Sequence, residues 1–187
     1  MARLIYVINM SLDGFIEDAD GNFDWTEPND EEFLFINDLI RPIGTHLLGR
    51  RMYETMAVWE TDTSLPSGSP AMRDFAEIWQ AVEKVVYSRT LNEVWTSRTR
   101  LERELDVDSV QAMKTSEPRD IAIAGPELAA GAIKAGIVDD YHFFVAPVAI
   151  GAGKHALPPG VRLQLELQDQ RRFSNGVIHL SYRATSN

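Results

Sequence analysis

Thr45-His46-Leu47-Leu48-Gly49-Arg50-Arg51-Met52-Tyr53-Glu54 changes character at its glycine. The four residues before it read as a short buried strand, and Arg51–Val58 reads as a helix. Two adjacent arginines therefore stand where a strand turns into a helix. A helix start leaves N–H groups unpaired and carries a partial positive charge, so it favours an anion. Arginine adds a planar fork of donors that matches phosphate geometry.

Outward from this junction, strand-like and helix-like segments alternate. Arg3–Met10 (RLIYVINM) is a β-rich run of strand length, and Asp18–Asn22 (DADGN) is a turn signal. Asn29–Leu39 has helical spacing, with Asn29 as N-cap and Glu32 completing a capping-box pattern. Ser64–Pro70 is a Pro/Gly/Ser loop, after which Ala71–Val82 resumes helical spacing. Lys84–Tyr87 and Ser97–Glu102 read as strands, and Asp106 caps a short helix that ends before Ser116-Glu117-Pro118. Ile121–Ala124 is a compact strand that stops at Gly125-Pro126, where proline suits the start of the helix Glu127–Ala135. Tyr141–Ile150, Arg162–Leu167 and Val177–Tyr182 read as strands, the last two joined by the hairpin signal Ser174-Asn175-Gly176. This order predicts an α/β fold with a mostly parallel central sheet and an antiparallel C-terminal hairpin at one edge. No linker interrupts it, so residues 1–187 are expected to form a single domain.

The chain has 187 residues, of which 44% are apolar, enough for a sizeable core. Its formal net charge of −10 argues against nucleic acid or an anionic membrane as partner. With no cysteine there is no disulfide, thiol nucleophile or thiolate metal site. The four histidines are scattered without HExxH spacing, so no metal is expected. Met1-Ala2-Arg3 opens directly into a strand without the pattern of a signal peptide. The longest apolar stretch, Tyr141–Ile150, is half of the roughly 20 residues that a membrane span needs. These features predict a soluble, cytoplasmic protein that binds a small molecule.

In open α/β sheets the ligand crevice lies at the carboxyl ends of the strands. Three such ends carry phosphate-friendly residues: Gly49-Arg50-Arg51, Ser88-Arg89-Thr90 and Gly125-Pro126-Glu127. An arginine after a strand is ordinarily a solvated turn residue, and Gly-Pro is ordinarily punctuation. Their recurrence at successive strand ends points to an extended nucleotide. Neither a GxGxxG nor a P-loop pattern occurs.

Ser11-Leu12-Asp13-Gly14-Phe15-Ile16, Gly49–Glu54, Val85–Leu91 and Ala124-Gly125-Pro126-Glu127-Leu128 follow one another in the order found in dihydrofolate-reductase-like proteins. The chain most resembles the reductase domain of the bifunctional riboflavin-pathway deaminase–reductase and its stand-alone relatives. Val138–Val148, with Gly151-Ala152-Gly153 behind it, is the stretch most specific to that family. The resemblance runs through nearly the whole chain. It implies a three-layer dihydrofolate reductase-like fold with helices on both faces, NADPH as cofactor and a homodimer. It implies that Gly49, Arg50, Arg51, Met52, Ser88 and Arg89 hold the adenosine side of NADPH. Ala124, Gly125, Pro126, Glu127 and Leu128 would hold the pyrophosphate, with a cis peptide at Ala124–Gly125. Asn9, Asp13, Gly14 and Ile16 would line the nicotinamide end.

The activity implied is hydride transfer from NADPH to a C=N or C=O of a small, heterocyclic substrate. Asp30 is the candidate proton-handling group, because dihydrofolate reductases carry an acid on the equivalent helix, and partial burial there would raise its pKa. Any helix first turn also favours acids, as in Asp30-Glu31-Glu32. Trp25, Phe33 and Met56, together with Asp30, are the candidate substrate-binding residues. The family pattern is broken in places. The sequence carries no deaminase half, and the acids at 30–32 stand where the riboflavin-pathway reductase holds a ribose phosphate. Met52 replaces the threonine usual in dihydrofolate reductase, whose Trp-rich motif is reduced to Asp24-Trp25. Two other readings therefore remain open: dihydrofolate reductase activity, and a nucleotide-binding module without turnover.

Overall fold

The computed structural model describes residues 1–185. In chain order the elements are β1 (Leu4–Ser11), β2 (Phe15–Glu17), α1 (Asp30–Ile40), β3 (Thr45–Gly49), α2 (Arg50–Met56) and α3 (Val58–Thr61). There follow α4 (Pro70–Ala81), β4 (Glu83–Tyr87), β5 (Thr99–Glu102), α5 (Val107–Ser116), β6 (Ile121–Ala124) and α6 (Pro126–Lys134). The chain closes with β7 (Asp140–Ala146), β8 (Lys154–His155), β9 (Leu165–Arg172) and β10 (Ile178–Ala184). Eight strands form one sheet in the order β5-β4-β3-β6-β1-β7-β10-β9. The first six are parallel to their neighbours, whereas β10 runs antiparallel to both β7 and β9. β2 and β8 pair in a separate small sheet.

The alternation of side chains along each strand decides which layer they join. Leu4, Tyr6 and Ile8 of β1 and Ile121 and Ile123 of β6 pack with Val110 of α5 and Ala129, Ala132 and Ile133 of α6. Ile5 and Ala122, one residue out of step, pack on the opposite face with Phe33 and Ile40 of α1 and Phe75 of α4. On that same face Leu48 and Val86 meet Tyr53 of α2 and Trp79 of α4. The result is the expected three-layer α/β architecture. No helix among the described residues is long and apolar enough to cross a membrane.

Several boundaries differ from the sequence reading. The strand expected to run to Ile150 ends at Ala146, just before Pro147, which has no N–H to continue a ladder. The strand expected over 162–167 runs instead from Leu165 to Arg172. Its residues beyond Leu165 are exposed, so no apolar alternation marks it, and pairing with β10 alone defines it. The helix expected over 51–58 is divided into α2 and α3 at Ala57.

Candidate active site

The carboxyl ends of β1, β3 and β6 open onto a cavity of about 1430 Å³. Sites for one drug-sized ligand run to roughly 300–1,000 Å³, so this cavity is large enough for a bigger ligand such as a dinucleotide. Its walls divide into two arms. One lies along the strand ends and carries Arg50, Arg51, Arg89 and Lys154; the other, between α1, α4 and the sheet, carries Phe33, Ile36, Met56, Trp59 and Phe75.

The helices that meet the first arm differ at their starts from α1, α4 and α5, whereas the short α3 follows α2 at Ala57 and also lacks a side-chain cap. Side chains close α1, α4 and α5: Asn29, Ser69 and Asp106 accept from the N–H groups of Glu32, Met72 and Ser109. α2 and α6 have Gly49 and Gly125 at that place and no side-chain cap. Their first-turn N–H groups are left free for a ligand. Gly125 has φ of 95°, a conformation that a side chain disfavours. A Cβ on Gly125 would lie 3.8 Å from the Gly49 nitrogen, so two bare backbones meet at the floor of this arm. The cis peptide expected at Ala124–Gly125 is not found. All peptide bonds among the described residues are trans, and the positive φ of Gly125 turns the chain instead.

The cations of this arm are held by exposed or partly exposed partners. Arg50 donates to Glu54 at 2.8 Å and to the Thr90 hydroxyl at 2.9 Å. Arg51, 72% exposed, donates to Glu17 at 3.3 Å. Lys154 reaches the same Glu17 at 3.2 Å and Glu127 at 2.9 Å, and Arg89 pairs with Glu104 at 2.6 Å. Surface pairs of this kind add on the order of 0–1 kcal/mol, so a phosphate can displace them. β8 passes β2 so closely that a Cβ on Gly153 would run into the Glu17 carbonyl. That approach sets Lys154 beside Glu17.

Of the residues singled out in the sequence, Asn9, Ile16, Gly49, Arg50, Arg51, Met52, Arg89 and Ala124 to Leu128 stand on the cavity wall, as do Phe33 and Met56. Others do not. Asp13 accepts from Ser11 Oγ at 2.6 Å and from the N–H groups of Ile150 and Gly151, tying the turn after β1 to the loop after β7. The Ser11 hydroxyl and the Gly151 N–H hold its carboxyl below the usual range. Gly14 takes φ of 87° in that turn, and its carbonyl accepts from Ala156 N–H. Ser88 Oγ accepts from the N–H groups of Thr90 and Leu91 and closes the turn after β4. Trp25 packs with Phe144, Phe173 and Val177. Its 3₁₀ turn shows Asp24 and Thr26 to the cavity and sends Trp25 the other way. Asp30 is the exposed first residue of α1 and not part of the cavity wall, so the partial burial expected for it is absent. The buried acid of that turn is Glu32, which accepts from Asn29 N–H and Asn175.

Sequence reasoning passed over Glu17, Phe23, His46, Trp59 and Lys154, all on the wall. Lys154 follows the glycines 151 and 153 directly, and that Gly-Ala-Gly-Lys run was its available signal.

The family model of the RibD C-terminal domain matches residues 2–179. The chain belongs to that family. This RibD C-terminal domain chain is 28% identical over 185 residues to the uncharacterized protein YyaP of Bacillus subtilis (strain 168), covering 96% of this chain and 94% of that one. It superposes on a putative riboflavin biosynthesis protein from Shewanella sp. PV-4 with a TM-score of 0.75 at 20% identity, covering all of both chains. It superposes on dihydrofolate reductase from Enterococcus faecalis, complexed with NADP(H), with a TM-score of 0.65 at 14% identity, covering 98% and 97%. The fold of this RibD C-terminal domain chain is thus dihydrofolate reductase-like.

Proposed function

We propose that this chain is an NADPH-dependent reductase, with the cofactor lying along the carboxyl ends of β1, β3, β4 and β6. The observation that carries this reading is the pair of uncapped, glycine-led helix starts of α2 and α6 facing four cations on one cavity arm. The donor set fits a dinucleotide phosphate. Free N–H groups of α6 and the ammonium of Lys154 suit the pyrophosphate, and the guanidinium groups of Arg50, Arg51 and Arg89 suit the adenosine phosphate. The fold is shared with a dihydrofolate reductase solved with NADP(H). When bound, NADPH supplies hydride to a C=N or C=O carbon. The chain's own part is to bind and orient, to shed water from the second arm, and to admit a proton from solvent at the cavity mouth.

A titration of the protein with NADPH, followed by nicotinamide fluorescence, tests the binding. A saturable rise supports the reading, and no rise at millimolar cofactor overturns it. NADPH oxidation with a panel of carbonyl and heterocyclic acceptors, dihydrofolate among them, then tests turnover. Loss of NADPH absorbance with one acceptor supports reduction, and no loss with any acceptor overturns it.

A further inference from the structure

The second arm of the cavity has a chemistry unlike the first. Phe33, Trp59 and Phe75 pack against one another on its wall, with ring centroids 5.7 Å (Phe33–Trp59), 5.7 Å (Phe33–Phe75) and 4.7 Å (Trp59–Phe75) apart. Met56 and Ile36 complete this wall. His46, 8% exposed, and Trp79, 2% exposed, also line the cavity, and His46 Nε2 and Trp79 Nε1 have no hydrogen-bond partner in the protein. Phe23, 46% exposed, is also on the cavity wall.

Charge separates the two arms. Every lysine and arginine on the cavity wall belongs to the first arm, where each is paired with Glu17, Glu54, Glu104 or Glu127. Asp24 and Glu27, carboxylates on the same wall segment as Phe23, add negative charge to the cavity. Burial pushes the His46 imidazole down to about 4, so it brings no positive charge at neutral pH. Lys84 lies behind Trp79 and donates to the Trp79 and Val82 carbonyls, off the cavity wall. A phosphate entering this arm would be stripped of water with no cation among the arm's own residues to meet it. An uncharged ring would instead find the partly exposed Trp59 and Met56, backed by the buried rings of Phe33 and Phe75.

We propose that the second arm binds an uncharged aromatic ring system and rejects the same ring carrying a phosphate. The inference rests on the reading above that the first arm holds the cofactor. It narrows the substrate to an unphosphorylated aromatic compound with at most one or two polar atoms.

The probes are 2-naphthol and 2-naphthyl phosphate, titrated calorimetrically into the full chain in phosphate buffer, with and without NADP⁺. The expected result is saturable binding of 2-naphthol in both conditions, with 2-naphthyl phosphate weaker by about tenfold or more. Equal affinities, or no heat from 2-naphthol, overturn the proposal. Met56→Trp fills the arm from a partly exposed wall position and is expected to weaken 2-naphthol by about tenfold. Unchanged 2-naphthol affinity in that variant places the ring elsewhere and also overturns the proposal. The two wild-type titrations decide the matter if the variant does not fold. NADP⁺ binding is measured separately, so a chain that takes 2-naphthol but not NADP⁺ supports this inference while refuting the cofactor reading.

Discussion

Arg51 and Lys154 share one carboxylate, Glu17, yet the proposal sets them against different parts of a dinucleotide. Arg51 lies in the first turn of α2, on the side proposed for the adenosine phosphate that only NADPH carries. Arg51→Ala should therefore weaken NADPH ten- to a hundredfold, in line with roughly 1.5–3 kcal/mol for a charge-assisted bond, and leave NADH nearly unchanged. Equal weakening of both cofactors would remove that assignment. Lys154 stands beside the start of α6, where the pyrophosphate common to both cofactors is proposed to lie. Lys154→Ala should weaken NADPH and NADH alike, by about tenfold, and a selective loss of NADPH would contradict its placement. His46 makes a different statement, about stability. Its imidazole falls from 6.5 to about 4 in the folded chain because burial opposes the charge, and His179 falls likewise. The unfolded chain then binds more protons between those values, so stability present above pH 6.5 is lost as pH falls toward 4. By pH 5 the loss from His46 should be about 2 kcal/mol in urea unfolding, the His142–His179 pair adds in the same direction, and His46→Leu should remove about 2 kcal/mol of the total. A flat profile between pH 7 and 5 would show that none of these rings is held neutral.

At the scale of elements, the caps were the most legible part of the sequence. Asn29 and Glu32 form the expected capping box at the start of α1: Asn29 Oδ1 accepts from Glu32 N–H at 2.9 Å, and Glu32 accepts from Asn29 N–H. Asn29→Ala should cost about 1 kcal/mol in urea unfolding, and an unchanged midpoint would contradict the role assigned to the cap. Asp106, Pro126 and the Ser174-Asn175-Gly176 turn were legible for the same reason, because their chemistry is local. So was the fold, since strand–helix alternation with a final hairpin admits few arrangements. What escaped depends on distant partners. β9 from Gln168 to Arg172 is polar throughout and exists through its ladder with β10. β2 and β8 are two or three residues long and pair across more than a hundred positions of sequence. The pocket was legible where glycine and arginine mark strand ends. It was not legible at Trp25, whose direction is set by a 3₁₀ turn, or at Asp30, whose position at the tip of α1 leaves it in solvent.

For the whole molecule, the second arm's aromatic triad and the first arm's cations line one cavity at the carboxyl ends of the strands, the arrangement on which the proposal of two ligands rests. The family resemblance leads us to expect a homodimer, and β9 leaves a long edge with Leu167 exposed beside its polar neighbours. Light scattering should give twice the mass of the chain, and a monomer at all concentrations would contradict that. The central claim is that the cationic arm is a dinucleotide site. Its most direct test is a crystal structure of the protein grown with NADP⁺. The prediction is density along the ends of β3, β4 and β6, with the pyrophosphate at the start of α6 and a phosphate between Arg50, Arg51 and Arg89. A dinucleotide bound elsewhere, or none at saturating concentration, would contradict it.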